Sequence, residues 1–485
     1  MSAAAAADPS SAGSLGRKVF KTTIAQILGR NFISLGRLAL ASLVVRQFGM
    51  DVFGQYSVIL VLLAIAEWLV DFGTNDVVVR DVCQKPGEES TLFRVMTAVK
   101  AVQAPAAFAV FAVLLVVLRY PGTVVEAALI GGASLFLFAG ILCYRVVFRA
   151  ALMLEREILA EMISLAVMGA LVFAASRRGL GLSAIFAAYV VARAVFLSIA
   201  WLLGRGRYQP SVRGVQWRDI GASLKTSSAI GLIGLIVVSY ETLDILILSR
   251  LSAISEVANY SGAQRFVLPV LTSLSAVGST LFPIVSMYWP NSREKFEEAF
   301  QRGLEAVLFL AGCAVCLLLS GSAFLVSILS PSLTLAPYAI QILAVVCFAK
   351  AVSTAASPVL YAVHREKEAL KFMSVAITVK VLLLVVLAPR YGCMGTAFAV
   401  LAADSCFAVI SILMAQRYSG YRLRWGVPIS LILIGIIAGV APVLLSLRGP
   451  LAMALAFPLY CGIVLGTGTV RLAEMRALVE RKKPA

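Results

Sequence analysis

Arg46-Gln47-Phe48-Gly49-Met50-Asp51-Val52-Phe53-Gly54-Gln55-Tyr56 closes the first long apolar run of the chain. Arg250-Leu251-Ser252-Ala253-Ile254-Ser255-Glu256-Val257-Ala258-Asn259-Tyr260 closes another, with the same Arg-to-Tyr spacing, 204 residues later. The recurrence reads as an internal duplication. It continues downstream: Arg156-Glu157 recurs as Arg365-Glu366 at an offset of 209, and Gly181 as Gly392 at 211. Two of the repeat-related positions exchange charge, Arg37 for Glu241 and Arg193 for Asp404, which predicts halves with different tasks.

Composition sets the class within which the duplication works. With 60% hydrophobic residues and a mean hydropathy of +0.93, the chain carries far more apolar surface than one soluble core can bury, and it reads as an all-α polytopic membrane protein. About 20 apolar residues are needed to cross some 30 Å of hydrocarbon. Fourteen runs qualify: 22–46, 57–79, 95–118, 124–148, 158–176, 182–204, 223–248, 258–289, 303–329, 338–362, 372–388, 394–416, 427–447 and 451–470. The repeat divides them into a first six-helix bundle (22–204), a cytoplasmic linker (205–222) and a second six-helix bundle (223–416). A C-terminal helix pair (427–470) follows, flanked by a basic tail (471–485), and a disordered tail is expected at 1–21. Six spans separate equivalent positions. That number is even, so both bundles should have the same orientation and be related by an axis along the membrane normal.

The formal charge of +17 could suggest nucleic acid, but its distribution points to topology. With the N-terminus in the cytoplasm, 26 Lys and Arg fall in cytoplasmic segments and only seven on the other side (Arg46, Arg119, Arg177, Arg178, Arg250, Arg390 and Arg448). This asymmetry is the positive-inside pattern for an N-in, C-in chain. Nucleic acid is therefore not an expected partner.

Chemistry-bearing motifs are sparse. No glycine-rich phosphate loop, zinc spacing or nucleophile elbow is present, and the longest connection, about Gly204 to Ala222, has no room for a soluble catalytic domain. An enzyme is not expected. Cys313 and Cys316 share a helix face without a second pair or a histidine beside them, so they read as small packing residues. No cofactor or metal is implied.

Ionisable residues inside apolar runs are then the candidates for function. A charge at a lipid-facing helix centre costs roughly 2.5–3.5 kcal/mol, so such residues should face one another or a water-filled cavity. The first half holds Arg30 and Arg37, seven apart on one face, then Glu67 and Asp71, four apart, then Lys100, Arg145 and Arg193. The second holds Glu241, Asp244, Arg265, Lys350, Lys380 and Asp404. Lys100 and Arg145 lie near the cytoplasmic end of their runs and are expected to snorkel. As ordinary packing bridges, Arg37 would pair with Asp71 or Glu241, and Arg193 or Lys380 with Asp404. At the helix centres four bases (Arg37, Arg193, Lys350, Lys380) face two acids (Glu67, Asp404), which favours an anionic cargo.

Val44-Val45-Arg46-Gln47-Phe48-Gly49, then Phe53-Gly54-Gln55-Tyr56-Ser57 and Asp71-Phe72-Gly73, resemble the opening signature of polysaccharide flippases. These are the O-antigen and lipid-linked oligosaccharide transporters of the multidrug/oligosaccharidyl-lipid/polysaccharide exporter superfamily. Asp244, Leu248 and Val257-Ala258-Asn259-Tyr260 resemble the start of that family's second half. The chain departs from the family pattern at Phe48 and Met50, where leucine and proline are usual. The resemblance implies a protein of the cytoplasmic (inner) membrane that flips polyprenyl-diphosphate-linked glycan by alternating access, driven by a cation gradient. Arg30, Arg37 and Arg193 are then expected on the diphosphate, where guanidinium can bind two oxygens at once. Lys350 and Lys380 would add contacts to diphosphate or sugar. Glu241, Asp244 and Asp404 would serve the coupling ion, H+ or Na+, with Glu67 and Asp71 as further cavity residues.

Alternatives are a multidrug exporter of organic cations from the same superfamily, whose cavity should be net acidic, and a lipid II flippase, which the extra helix pair would suit. A non-transporting scaffold for glycan assembly is a third, with no use for buried charge. Expected partners are the lipid-linked glycan, the membrane and a glycan polymerase or assembly complex. A monomer is expected.

Overall fold

In a computed structural model of the protein, residues 9–467 are described, apart from 86, 446 and 448. Side chains are described from 29 onward, apart from 30, 366, 367, 369 and 370. Within these residues the chain is helical throughout, without a strand. In hydrocarbon no water satisfies backbone N–H and C=O groups, and an apolar helix satisfies them internally.

The elements are α1 (Pro9–Asp71), α2 (Thr74–Gln84), α3 (Glu89–Val117), α4 (Gly122–Gly132), α5 (Ser134–Ala150), α6 (Leu154–Arg177) and α7 (Leu182–Gly204). There follow α8 (Trp217–Leu251), α9 (Ile254–Tyr288), α10 (Arg293–Leu329), α11 (Ala336–Ala362), α12 (Glu366–Ser419), α13 (Gly426–Leu444) and α14 (Pro450–Gly466). Among the described residues, eleven stretches are long and apolar enough to cross a membrane. Two of them, Asn31–Gln84 with 54 residues and Lys371–Ser419 with 49, are far longer than one crossing needs. Each is broken at a glycine, Gly49 at φ 87° and Gly392 at φ 53°. A side chain rarely adopts such angles. The chain is a multi-pass membrane protein.

α1 reaches back to Pro9, so residues 9–21 are helical where the sequence suggested a disordered tail. A proline is well accommodated at a helix start, where its missing N–H has no partner to lose. The basic tail at 471–485 lies outside the described residues. The linker is also shorter than expected, because α8 begins at Trp217.

Two compact units divide the chain, 1–242 and 243–485. The boundary falls inside α8 rather than in the linker, and the contacts of α8 explain why. Trp68 Nε1 donates to Gly231 O at 3.0 Å, and a Cβ on Gly231 or Gly234 would collide with Phe72 or Trp68. Glycine thus lets the first part of α8 lie against the end of α1. In the same unit Gly29 and Gly36 give α1 close approach to Ile158 and Leu165 of α6.

In the second unit α13 and α14 pack on α10 by the same device. Gly439 meets Leu319, Gly312 meets Tyr460, and Gly321 meets Met453. The Tyr460 hydroxyl donates to Phe309 O at 3.2 Å.

Candidate functional site

The first unit gathers its charges into a strip across α1, α5, α6 and α7. Glu67 Oε1 accepts from Arg193 Nη2 at 2.6 Å and from the Tyr189 hydroxyl at 2.9 Å. The Arg193 guanidinium lies 4.9 Å from the centre of the Phe138 ring. The same ring stands 5.9 Å from Arg145, which also lies over Phe196 at 5.6 Å. Arg145 continues the strip to Glu157, 2.9 Å away, and to Glu161 at 3.7 Å. Glu161 in turn accepts from Arg37 Nη2. Arg37 is the open end of the strip, with 62% of its side chain exposed.

Two sequence expectations are corrected here. Arg37 pairs with Glu161, not with Asp71 or Glu241, because α1 packs on α6 through Gly29 and Gly36. Arg193 pairs with Glu67 rather than Asp404. The strip therefore sets Arg37, Arg145 and Arg193 against Glu67, Glu157 and Glu161, so the excess of bases counted at helix centres is offset on site. Arg30 falls among residues whose side chains lie outside those described.

Asp71 belongs to a second cluster, built on a helix break. Phe72 and Gly73 take positive φ, 42° and 70°, leaving the last carbonyls of α1 without helical partners. Lys100 fills that gap: its Nζ donates to Val70 O at 2.9 Å, Asp71 O at 3.1 Å and Thr74 Oγ1 at 2.5 Å, and stands 3.3 Å from Asp71 Oδ1. Lys100 is 2% exposed rather than snorkelling. Its four oxygen partners offset the loss of water.

In the second unit Asp404 of α12 is buried and paired with Lys350 of α11 at 3.0 Å. Lys380 is buried as well, while Glu241, on the first unit's side of the boundary, is exposed. Asp244 differs from every other buried acid among the described residues. Its Oδ2 accepts from the Tyr260 hydroxyl at 2.5 Å and from Gln264 Nε2 at 2.9 Å, and its Oδ1 accepts from Ile245 N at 3.1 Å. These donors are neutral, so no side-chain cation balances the buried charge.

Residues of the Arg250–Tyr260 segment have structural work in this unit. Asn259 Oδ1 accepts from the N–H groups of Leu335 and Ala336, at 2.9 and 3.1 Å, where α11 begins. Glu256 Oε2 accepts from Cys393 N at 2.8 Å just beyond the Gly392 break.

Glu157, Glu161, Tyr189, Tyr260 and Gln264 were missed by the sequence reading. A signal was available: Glu157 with Glu161, Tyr189 with Arg193, and Tyr260 with Gln264 are polar pairs four residues apart, and so share a helix face.

The family described as "Polysaccharide biosynthesis protein" matches residues 15–289. No curated protein sequence matches the chain. Among solved structures, the lipid II flippase MurJ in an inward closed conformation aligns with TM-score 0.70 at 14% identity, over 93% of this chain and 100% of that one. An inward-facing MATE-family multidrug resistance transporter of the MOP superfamily aligns with TM-score 0.65 at 14% identity, over 80% and 94%. A mutant of the Vibrio cholerae MATE transporter VcmN aligns with TM-score 0.56 at 15% identity, over 84% and 98%. At such identities these likenesses concern the fold.

Proposed function

Because the chain belongs to the polysaccharide biosynthesis protein family, we propose that it flips a polyprenyl-diphosphate-linked glycan across the cytoplasmic membrane by alternating access. The observation that carries this reading is a family match over more than half the chain, joined to a membrane fold rich in internal charge. Ionised groups inside an apolar shell are costly unless they meet one another, water or charged cargo, and the exposed Arg37 and the cation-free Asp244 are the ones with capacity for cargo or ion. No catalytic step is needed, and the protein acts as a transporter rather than an enzyme.

Within this reading Arg37 makes first contact with the diphosphate. Its guanidinium gives one nitrogen to Glu161 and is otherwise largely exposed, which suits a ligand that takes two donors at once. Arg193 lies deeper and is neutralised by Glu67. It takes part only if cargo competes for that carboxylate. Lys350 is partly exposed beside Asp404 and offers a further cationic contact, whereas the burial of Lys380 suits it to a supporting role.

The coupling ion is assigned to Asp244. A buried carboxylate facing neutral donors has unmet demand for positive charge, and H+ or Na+ can supply it. Asp404 already has Lys350. Glu241 is exposed three residues before Asp244 on α8 and is a second carboxylate able to attract a cation.

The N-in, C-in orientation follows from the basic segments and puts the connection holding Cys83 in the cytoplasm. Cys83 is the one exposed cysteine among the described residues. A membrane-impermeant maleimide should label it in inverted vesicles and not in intact cells; labelling in intact cells contradicts the orientation. The protein is proposed to work as a monomer that passes its product to a glycan polymerase or assembly complex.

The reading is tested with the native chain in proteoliposomes. Labelled polyprenyl-diphosphate oligosaccharide should cross the bilayer, faster under an imposed H+ or Na+ gradient. Uptake of organic cations without movement of the lipid would favour the drug-exporter alternative.

A further inference from the structure

A cavity of about 210 Å³ opens in the first unit beside the charged strip. Glu67, Trp68, Asp71 and Asn75 line it from α1 and α2, and Arg145 and Arg149 from α5. The first four recur at spacings of one, three and four residues, one helical face carried past the Phe72–Gly73 break. Allowing each water roughly 30 Å³, the space equals about seven waters. That is room for one sugar ring rather than for a chain.

Asn75 marks the cavity as a binding site. Its side chain is 3% exposed, and its Oδ1 has no hydrogen-bond partner. Leaving a buried amide oxygen unsatisfied costs about 1–3 kcal/mol. Asn75 lines the cavity, and a rotation of its amide that turns Oδ1 toward the cavity lets a ligand hydroxyl donate to it and removes that cost.

The charges of the wall identify the class of ligand. Glu67 is matched by Arg193 at 2.6 Å, Asp71 by Lys100 at 3.3 Å, Arg145 by Glu157 at 2.9 Å, and Arg149 by Asp76 at 3.7 Å. A diphosphate entering here would have to displace a carboxylate from a guanidinium. An uncharged polyol would not, and it would meet both donors and acceptors. Trp68 spends its N–H on Gly231 O, so the ring offers the cavity apolar surface, as the C–H face of a pyranose requires.

We propose that this cavity is a subsite for one neutral sugar of the glycan, with Asn75 Oδ1 accepting from a ring hydroxyl. The proposal rests on the flippase reading for its biological setting, but the binding itself can be measured apart from lipid movement.

The test is saturation-transfer NMR on the full chain in a detergent without a sugar headgroup. The probes are glucose, galactose, mannose, N-acetylglucosamine and galacturonate. Two variants accompany the native protein: Asn75→Leu, which removes the acceptor, and Ala64→Phe, which fills the cavity from an exposed wall position and leaves the buried core untouched. At least one neutral sugar should give a signal that falls five-fold or more in both variants. The proposal is overturned by silence from every neutral sugar, by a signal unchanged in both variants, or by galacturonate out-competing the neutral sugars. Binding of bare polyprenyl diphosphate to the native chain is measured separately. Its absence would sink the flippase reading and leave the sugar result standing.

Discussion

The two units bury charge in opposite ways. In the first, three arginines and three glutamates alternate along a strip, with Phe138 between two guanidiniums and Arg37 exposed at one end. In the second, Lys350 and Asp404 close on one another, and Asp244 is held by Tyr260 and Gln264 without a cationic partner. Repeat-related positions thus carry different chemistry: Arg193 of α7 bonds an acid, and its counterpart Asp404 of α12 bonds a base. The same folding pattern can hold either sign as long as a neighbouring helix supplies the complement. What then separates the units is the group with bonding capacity to spare, a largely exposed guanidinium that gives one nitrogen to Glu161 in one and a buried carboxylate without a cation in the other. Guanidinium suits phosphate and carboxylate suits a small cation.

The comparison breaks most readily at the pair whose acid is most deeply buried. Asp404→Ala removes the buried carboxylate that pairs with Lys350, and losing one partner of a pair with a buried member costs up to about 3–5 kcal/mol. Thermal unfolding of the purified variant should show this as the largest loss of the set. A neutral result would mean that Lys350 reaches water. Arg193→Ala should cost less, about 1.5–3 kcal/mol for a charge-assisted hydrogen bond, since Tyr189 still donates to Glu67 and neither partner is as buried as Asp404. If it equals Asp404→Ala, the two units do not differ in the way described.

The glycine breaks sharpen the contrast. Gly49→Ala meets no atom within 4 Å and should cost only backbone strain, about 1–3 kcal/mol. Gly392→Ala adds a collision with Glu256 Oε2 at 2.5 Å, the oxygen that caps Cys393 N. It should lose about 1 kcal/mol more, the worth of a helix cap. Equal melting shifts would show that the cap contributes nothing. The smallest expected effect on stability is that of Arg37→Ala, within about 0.5 kcal/mol for an exposed side chain, measured in the same unfolding assay.

The architecture was largely legible from the sequence because bilayer thickness converts apolar length directly into helices. Arg46–Tyr56 and Arg250–Tyr260 do mark turns, the first around Gly49 and the second at Ser252–Ala253. The identities of the charged residues were also legible, since ionisable groups stand out in apolar runs. Their partners were not. Glu161 answers Arg37 only because Gly29 and Gly36 let α6 approach, and a linear reading carries no information on which helices touch. Lys100 was misjudged for a related reason. Its distance from the helix end suggested escape to the interface, but the Phe72–Gly73 break brings backbone carbonyls to it.

The account stands most directly on the division of labour between Arg37 and Asp244. Transbilayer movement of labelled polyprenyl-diphosphate oligosaccharide should be measured in proteoliposomes containing the native chain, Arg37→Ala or Asp244→Asn, with and without a cation gradient. The account predicts that folded Arg37→Ala moves no lipid under either condition, while Asp244→Asn moves it at one rate whether or not the gradient is imposed. Native, gradient-dependent movement by Arg37→Ala, or an intact gradient response in Asp244→Asn, would contradict it.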